Sequence, residues 1–112
     1  MIDEVLFGDC AELLKSIPDS SIDLVLTDPP YNVDYESTNS KTKITKIKND
    51  KMGDELFYQF LLSFYINASN HTKPGGAWYV WHADSEGYNF RKAFKDSGIL
   101  LKQCLIWVKN SF

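Results

Sequence analysis

The residues best suited to chemistry form one run, Asp28-Pro29-Pro30-Tyr31-Asn32. The Asp28 carboxylate accepts hydrogen bonds, a carbonyl that precedes proline is a stiffly held acceptor, and Tyr31 offers an aromatic face for stacking. Two acceptors and one stacking surface match the edge of a nucleobase that carries an amino group. Because Asp and Pro are also frequent turn formers, an ordinary turn at the end of a strand is the alternative interpretation.

Basic residues are concentrated in a polar stretch downstream of that run. The lysines are Lys41, Lys43, Lys46, Lys48 and Lys51, and Asp50 is the acidic residue among them. Such a cluster suits nucleic-acid phosphates, to which it would add affinity and positioning but no choice of sequence. A solvated surface loop is the alternative.

Two histidines are further candidates for acid-base chemistry, because an imidazole can take up or release a proton near neutral pH. His71 is predicted at the frayed end of a helix, which argues against a catalytic role. His82 follows a strand and could line a pocket, but we expect a structural histidine there.

A strand must carry the Asp28 run to its position. Residues 22–27 are rich in apolar and β-branched side chains and stop before Pro29, which cannot donate to a sheet ladder. They predict a strand with Asp28 at its carboxyl end, where ligands bind in open α/β sheets. Upstream, Asp9 and Glu12 have the spacing of a capping box and predict a helix that ends before Pro18.

Residues 32–51 lack apolar periodicity and predict a mobile loop. Helical spacing follows and places Phe57, Phe60 and Phe64 in the core, in a helix that the run Lys73-Pro74-Gly75-Gly76 ends.

Strands are predicted at 77–81 and 99–108, separated by a helix that Asp84 or Ser85 caps and Gly98 closes. The alternation of strands and helices indicates an α/β fold with a mainly parallel sheet flanked by helices.

Composition sets limits on the class of protein. The chain has 112 residues, 44% of them hydrophobic and 14% aromatic, enough for one packed domain. Its net charge of -3 means that any surface facing nucleic acid is locally basic. Cys10 and Cys104 fit no metal-ligand spacing, so no metal is predicted. Without an apolar run of membrane-spanning length, a cytoplasmic protein with reduced thiols is expected.

At this point the sequence resembles a known family. The run Leu26-Thr27-Asp28-Pro29-Pro30-Tyr31-Asn32 is similar to the DPPY signature of N6-adenine and N4-cytosine DNA methyltransferases. Other patterns resemble family landmarks in family order, namely Gly8-Asp9-Cys10, Lys73-Pro74-Gly75-Gly76 and the segment 105–110. Several short patterns in order are far more specific than any one of them.

The resemblance implies a partial Rossmann-like S-adenosylmethionine-dependent methyltransferase fold and a site-specific reaction on double-stranded DNA. The target base would be flipped out and stacked on Tyr31, with its amine bonded by the Asp28 carboxylate and the Pro29 carbonyl, ready to attack the sulfonium methyl. Adenine N6 is expected over cytosine N4, because the Asp form of the motif resembles adenine enzymes more often. The resemblance also implies cofactor contacts at Asp9, Cys10 and Asp28, and a contact with nucleic acid at Asn32.

One expected feature is missing. No glycine-rich F-x-G-x-G loop for the cofactor occurs among the glycines, which are Gly8, Gly53, Gly75, Gly76, Gly87 and Gly98. This order resembles permuted members with the catalytic half first, so residues 1–112 are expected to be one incomplete catalytic domain at an amino terminus, inactive alone. The alternative function is a noncatalytic or partner-dependent module that binds nucleic acid. Exposed sheet edges would favour self-association or a complementary chain.

Overall fold

The computed structural model describes residues 3–32 and 52–110. In that part, strands β1 (Ile22–Thr27) and β2 (Thr72–Val80) pair in parallel. Helices α1 (Cys10–Leu13), α2 (Asp54–Asn70) and α3 (Gly87–Asp96) flank them. This arrangement confirms the predicted α/β class with a parallel sheet and is compatible with a partial methyltransferase fold.

The first helix begins where the sequence predicted. The Asp9 side chain accepts a hydrogen bond from the Ala11 backbone N–H at 2.9 Å, which caps α1. Glu12 does not return the bond, because its carboxylate pairs with Lys15 at 2.9 Å instead. After α1, a 3-10 turn at Leu14–Ser16 ends the helical stretch before Pro18, as predicted.

Helix α2 supplies most of the core. Its buried side chains are Phe57, Leu61, Tyr65 and Ala68. The first three form one cluster with Phe90, Ala93 and Phe94 of α3. The prediction that Phe60 and Phe64 are core residues was wrong in degree, since both are only partly buried at the edge of this cluster. Steps of four residues from Phe57 lead to Leu61 and Tyr65. The buried face of α2 therefore runs through Tyr65, which the sequence prediction did not include.

The end of α2 differs from the prediction. The helix ends at Asn70, before the Lys73-Pro74-Gly75-Gly76 run, and that run belongs to β2. There it forms a bulge, because Ile22 pairs with Thr72 whereas Leu24 pairs with Ala77. A bulge tolerates Pro74, which has no N–H for the ladder, and Gly75 adopts the left-handed φ of 82°.

His71 is not at a frayed end, contrary to the prediction. It is 8% exposed, and its carbonyl accepts hydrogen bonds from the N–H groups of Ser21 and Ile22, each at 2.9 Å. These bonds tie the end of α2 to the start of β1, so packing rather than solvent surrounds the residue.

The start of α3 was also predicted wrongly. A 3-10 turn at Asp84–Glu86 precedes the helix, and neither Asp84 nor Ser85 provides a side-chain cap. The 3-10 turn leads directly into α3, and the helix begins without a side-chain cap. The predicted end is confirmed, since Gly98 adopts φ 89° and its N–H donates to the Lys95 carbonyl at 3.0 Å.

The predicted strand at 99–108 is not formed. Residues 99–110 carry no strand, and Leu105, Ile106, Trp107 and Val108 are largely exposed. A strand needs a ladder partner, and in the part of the chain that the structure describes none pairs with this segment. Trp107 contacts Trp81 edge-on at 5.7 Å, so the segment passes beside the end of β2.

No helix within residues 3–32 and 52–110 is long and apolar enough to cross a membrane.

Candidate active site

The Asp28 run leaves the sheet at the carboxyl ends of both strands. Thr27 is in register with Val80, and the Trp81 N–H donates to the Thr27 carbonyl at 3.0 Å, one residue past β2. Asp28 and Trp81 therefore depart from the same edge. This is the position that the sequence predicted for the motif and the usual place for a ligand in an α/β sheet.

Asp28 and Tyr31 are brought together within the motif. The Tyr31 hydroxyl donates a hydrogen bond to Asp28 Oδ1, and Asp28 is exposed to solvent. Partial burial, that hydrogen bond and the Asp28 charge, in that order, raise the pKa of Tyr31 to about 12. The carboxylate is thus within reach of a ligand, and the phenol beside it stays protonated at neutral pH.

Phe90 packs against Tyr31 from the buried core. Its side chain is 2% exposed and meets the Tyr31 ring edge-on, with 6.4 Å between ring centroids. The His82 ring stacks on it at 5.2 Å, and Phe57 meets it edge-on at 5.6 Å. The sequence placed Phe90 on a helix but missed this role, because no local pattern links it to Tyr31.

His82 is partly buried and has partners, which agrees with the structural role that the sequence favoured. Its Nδ1 lies 3.0 Å from the Ala83 carbonyl, and its ring stacks on Phe90.

Asn32 makes its contacts within the chain. Its Oδ1 accepts from the Met52 N–H at 2.5 Å, and its Nδ2 donates to the Met52 carbonyl at 3.0 Å. The predicted contact of Asn32 with nucleic acid stays a prediction. Lys41, Lys43, Lys46 and Lys48, as well as most of the predicted mobile loop at 32–51, lie outside the described residues.

The residues predicted to hold a cofactor make hydrogen bonds within the chain. Asp9 Oδ1 accepts from Ala11, Asp28 Oδ1 accepts from Tyr31, and no hydrogen bond among the described residues joins Asp9 or Cys10 to Asp28. Ala11 instead lies beside Asn67, near the end of α2, at 3.5 Å. The cofactor contacts predicted for Asp9, Cys10 and Asp28 stay a prediction.

A groove of about 480 Å³ lies between the start of α2 and the start of α3. It is lined by Asp54, Glu55, Tyr58, Ser85, Glu86, Tyr88, Asn89 and Lys92. The lining holds three carboxylates and one lysine, and Lys92 is paired with Asp96 at 2.6 Å, so the groove would repel phosphates. No residue of the Asp28 run lines the groove, so its size does not make it the reactive site.

Comparison with known proteins finds type II methyltransferases among the relatives of this chain. The type II methyltransferase M.BglII of Bacillus subtilis is 28% identical over 117 residues, which cover 96% of this chain and 29% of that protein. The type II methyltransferase M.BamHI of Bacillus amyloliquefaciens is 29% identical over 75 residues, which cover 67% of this chain and 16% of that protein. The type II methyltransferase M.HinfI of Haemophilus influenzae is 25% identical over 116 residues, which cover 97% of this chain and 30% of that protein. The chain is similar to type II methyltransferases.

This similarity confirms the methyltransferase resemblance that the Asp28 run and the ordered landmarks suggested. No family model matches the sequence. The chain spans between 16% and 30% of the length of these type II methyltransferases.

Proposed function

We propose that this chain carries the base-holding part of a DNA amino-methyltransferase that acts on adenine N6 in double-stranded DNA. One observation carries the proposal: an exposed carboxylate and a braced aromatic ring, Asp28 and Tyr31, meet at the carboxyl end of a parallel strand. A hydrogen-bond acceptor for an amine and a stacking surface for a base are then side by side.

The residues hold the amine by ordinary hydrogen bonding. A carboxylate offers several lone pairs, so Asp28 accepts the amine N–H while it still accepts from Tyr31. The Pro29 carbonyl is the second acceptor, and the stiffness of Pro30 fixes its direction. Both acceptors favour an amine whose lone pair is withdrawn from the ring and free to react. Stacking on Tyr31 contributes about 1–3 kcal/mol against the few kcal/mol that base flipping costs.

S-adenosylmethionine is proposed as the methyl donor on the strength of the resemblance alone. When bound, it supplies the methyl group. Contacts from Asp9, Cys10 and Asp28 are part of the same proposal.

The lysines Lys41, Lys43, Lys46 and Lys48 are proposed to contact DNA phosphates. Each phosphate contact releases counterions, so their removal should weaken DNA binding and flatten its dependence on salt concentration.

A partner-dependent module without catalysis of its own is the second candidate. The observation that favours it is the open face of the sheet, where Leu24, Leu26 and Tyr79 are exposed. Parallel sheets are normally covered on both faces, so another chain segment or protein is expected there.

The test is to express the reading frame that contains these residues in a bacterial host that lacks DNA methylation. The modified bases of its genome are then mapped by sequencing. N6-methyladenine at one sequence motif, lost in Asp28→Ala, is the expected result.

Other outcomes discriminate between the candidates. N4-methylcytosine that depends on Asp28 would keep the reaction class and correct the base. Unmodified DNA in cells that accumulate the folded protein would overturn the enzyme and leave the noncatalytic module.

A further inference from the structure

The residue directly after Tyr31 is held by an unusually complete contact. Both polar groups of the Asn32 amide bond the backbone of Met52, which donates at 2.5 Å and accepts at 3.0 Å. A side-chain amide presents a donor and an acceptor next to each other, as a paired strand does. Asp lacks the donor, and Ala and Gly have neither group.

The backbone at the same position is also restrictive. Asn32 adopts φ 60°, in the left-handed region that Asn and Gly tolerate better than other residues. Two independent features, the amide contact and the backbone conformation, therefore both call for asparagine here. A residue that merely reached toward DNA would need neither.

The contact ties the motif to the core. Met52 and Tyr31 both pack against the buried cluster that contains Phe57 and Phe90. Pro29 and Pro30 stiffen the chain on one side of Tyr31, and the Asn32–Met52 bonds fix it on the other. The Tyr31 ring is then left with little freedom to depart from Phe90.

We propose that Asn32 is a positioning residue: its two hydrogen bonds to Met52 set the Tyr31 ring for stacking on the target base. The inference rests on the proposed base-holding role of Tyr31. It gives the Asn32 amide a task within the chain that differs from the contact to nucleic acid expected from sequence.

The first test uses the 112-residue chain and needs no activity. Asn32→Gly keeps the left-handed backbone accessible and removes both bonds. Exchange of the Met52 amide hydrogen should accelerate roughly two- to twelvefold, the range expected for one hydrogen bond. In nuclear magnetic resonance spectra, the Overhauser contact between the Tyr31 and Phe90 rings should weaken. An unchanged contact between the two rings would overturn the inference.

Two further variants control for general effects. Asn67→Ala removes another amide-to-backbone bond, the one to the Ala11 carbonyl, and should leave the Tyr31–Phe90 contact intact. Asn32→Asp keeps the acceptor for the Met52 N–H, so it should restore the slow exchange of that hydrogen that Asn32→Gly loses. Equal disturbance of the ring contact by Asn67→Ala would mean that general loosening, not positioning, is measured.

The second test measures methyl transfer by the reading frame that contains the chain. Asn32→Gly should lower kcat between about ten- and hundredfold through misplacement of the ring, with the KM for DNA little changed. A raised KM with unchanged kcat would instead show a DNA contact, and wild-type values of both would show a purely local role. Either outcome sinks the inference and leaves the proposed function standing. If the wild-type protein transfers no methyl group, the proposed function is wrong. The contact between the Tyr31 and Phe90 rings still tests whether Asn32 positions Tyr31.

Discussion

At the scale of single residues, Tyr31 has two separable parts. Its ring lies edge-on against Phe90, and its hydroxyl donates to Asp28. Stacking requires the ring, whereas the hydroxyl only occupies one position on a carboxylate that has others. The two parts can be removed one at a time.

Tyr31→Phe should reduce methyl transfer mildly and Tyr31→Ala severely. The alanine variant loses stacking worth about 1–3 kcal/mol, which corresponds to a loss of roughly 5- to 150-fold in kcat/KM. The phenylalanine variant keeps the ring and should fall far less. Steady-state kinetics on the two variants provide the measurement. Equal losses would show that the hydroxyl on Asp28, rather than the ring, carries the effect.

The ionisation of Tyr31 gives a prediction in alkaline solution. Burial and Asp28 raise the pKa of this phenol to about 12 from 10.0, so the folded chain favours the neutral form. The stability this contributes is fully present below pH 10.0 and is lost as the pH rises through about 12. The difference in near-ultraviolet tyrosinate absorbance between wild type and Tyr31→Phe should rise only near pH 12. A rise centred at or below pH 10.0 would contradict the environment described for Tyr31.

At the scale of elements, the packing of α2 against α3 holds the site. Phe90 sits on α3 and is supported by Phe57 of α2, so the surface under Tyr31 depends on the helix pair. On the outer side of the same pair, Lys92 lies over the Tyr58 ring at 4.5 Å and bonds Asp96. Such exposed ion pairs contribute little to stability.

Leu61→Ala should destabilise the chain by about 2–5 kcal/mol, because Leu61 is 0% exposed and its removal leaves a cavity between the helices. Leu56→Ala on the same helix is the matched control. Leu56 is 67% exposed, and its removal should change the free energy of unfolding by within about 0.5 kcal/mol. Urea denaturation of both variants measures the difference. Similar values for the two would mean that α2 does not pack on α3 through this face.

At the scale of the whole molecule, the two faces of the sheet differ. Trp78 and Val80 pack against the core, whereas Leu24, Leu26 and Tyr79 point the other way and are exposed. A parallel sheet with one apolar face open to solvent is unusual and prone to association.

The 112-residue chain should therefore self-associate through this open face as its concentration rises. Leu26→Lys, which places a charge on the face, should lower the association measured by sedimentation. Leu56→Lys makes the same change at a helix position of nearly equal exposure, 67% against 66%, and should leave association unchanged. An equal effect of both variants would assign the association to charge in general and not to the sheet.

The sequence by itself determined the local features. Short-range rules of capping, periodicity and turn formation give the limits of β1, the cap at Asp9, the existence of α2 and the end of α3 before Gly98. The methyltransferase resemblance followed from the Asp28 run and the order of its companions. These signals are local, so they can be read without knowing what packs where.

Only the tertiary structure decided the rest, because it depends on partners distant in sequence. The Lys73–Gly76 run became a bulge since β1 lies beside it, and 99–108 formed no strand since no described neighbour offers a ladder. The brace of Phe90 under Tyr31 and the bonds from Asn32 to Met52 likewise join residues that no sequence rule connects. The motif predicts the chemistry of the site, and packing determines how Tyr31 is placed.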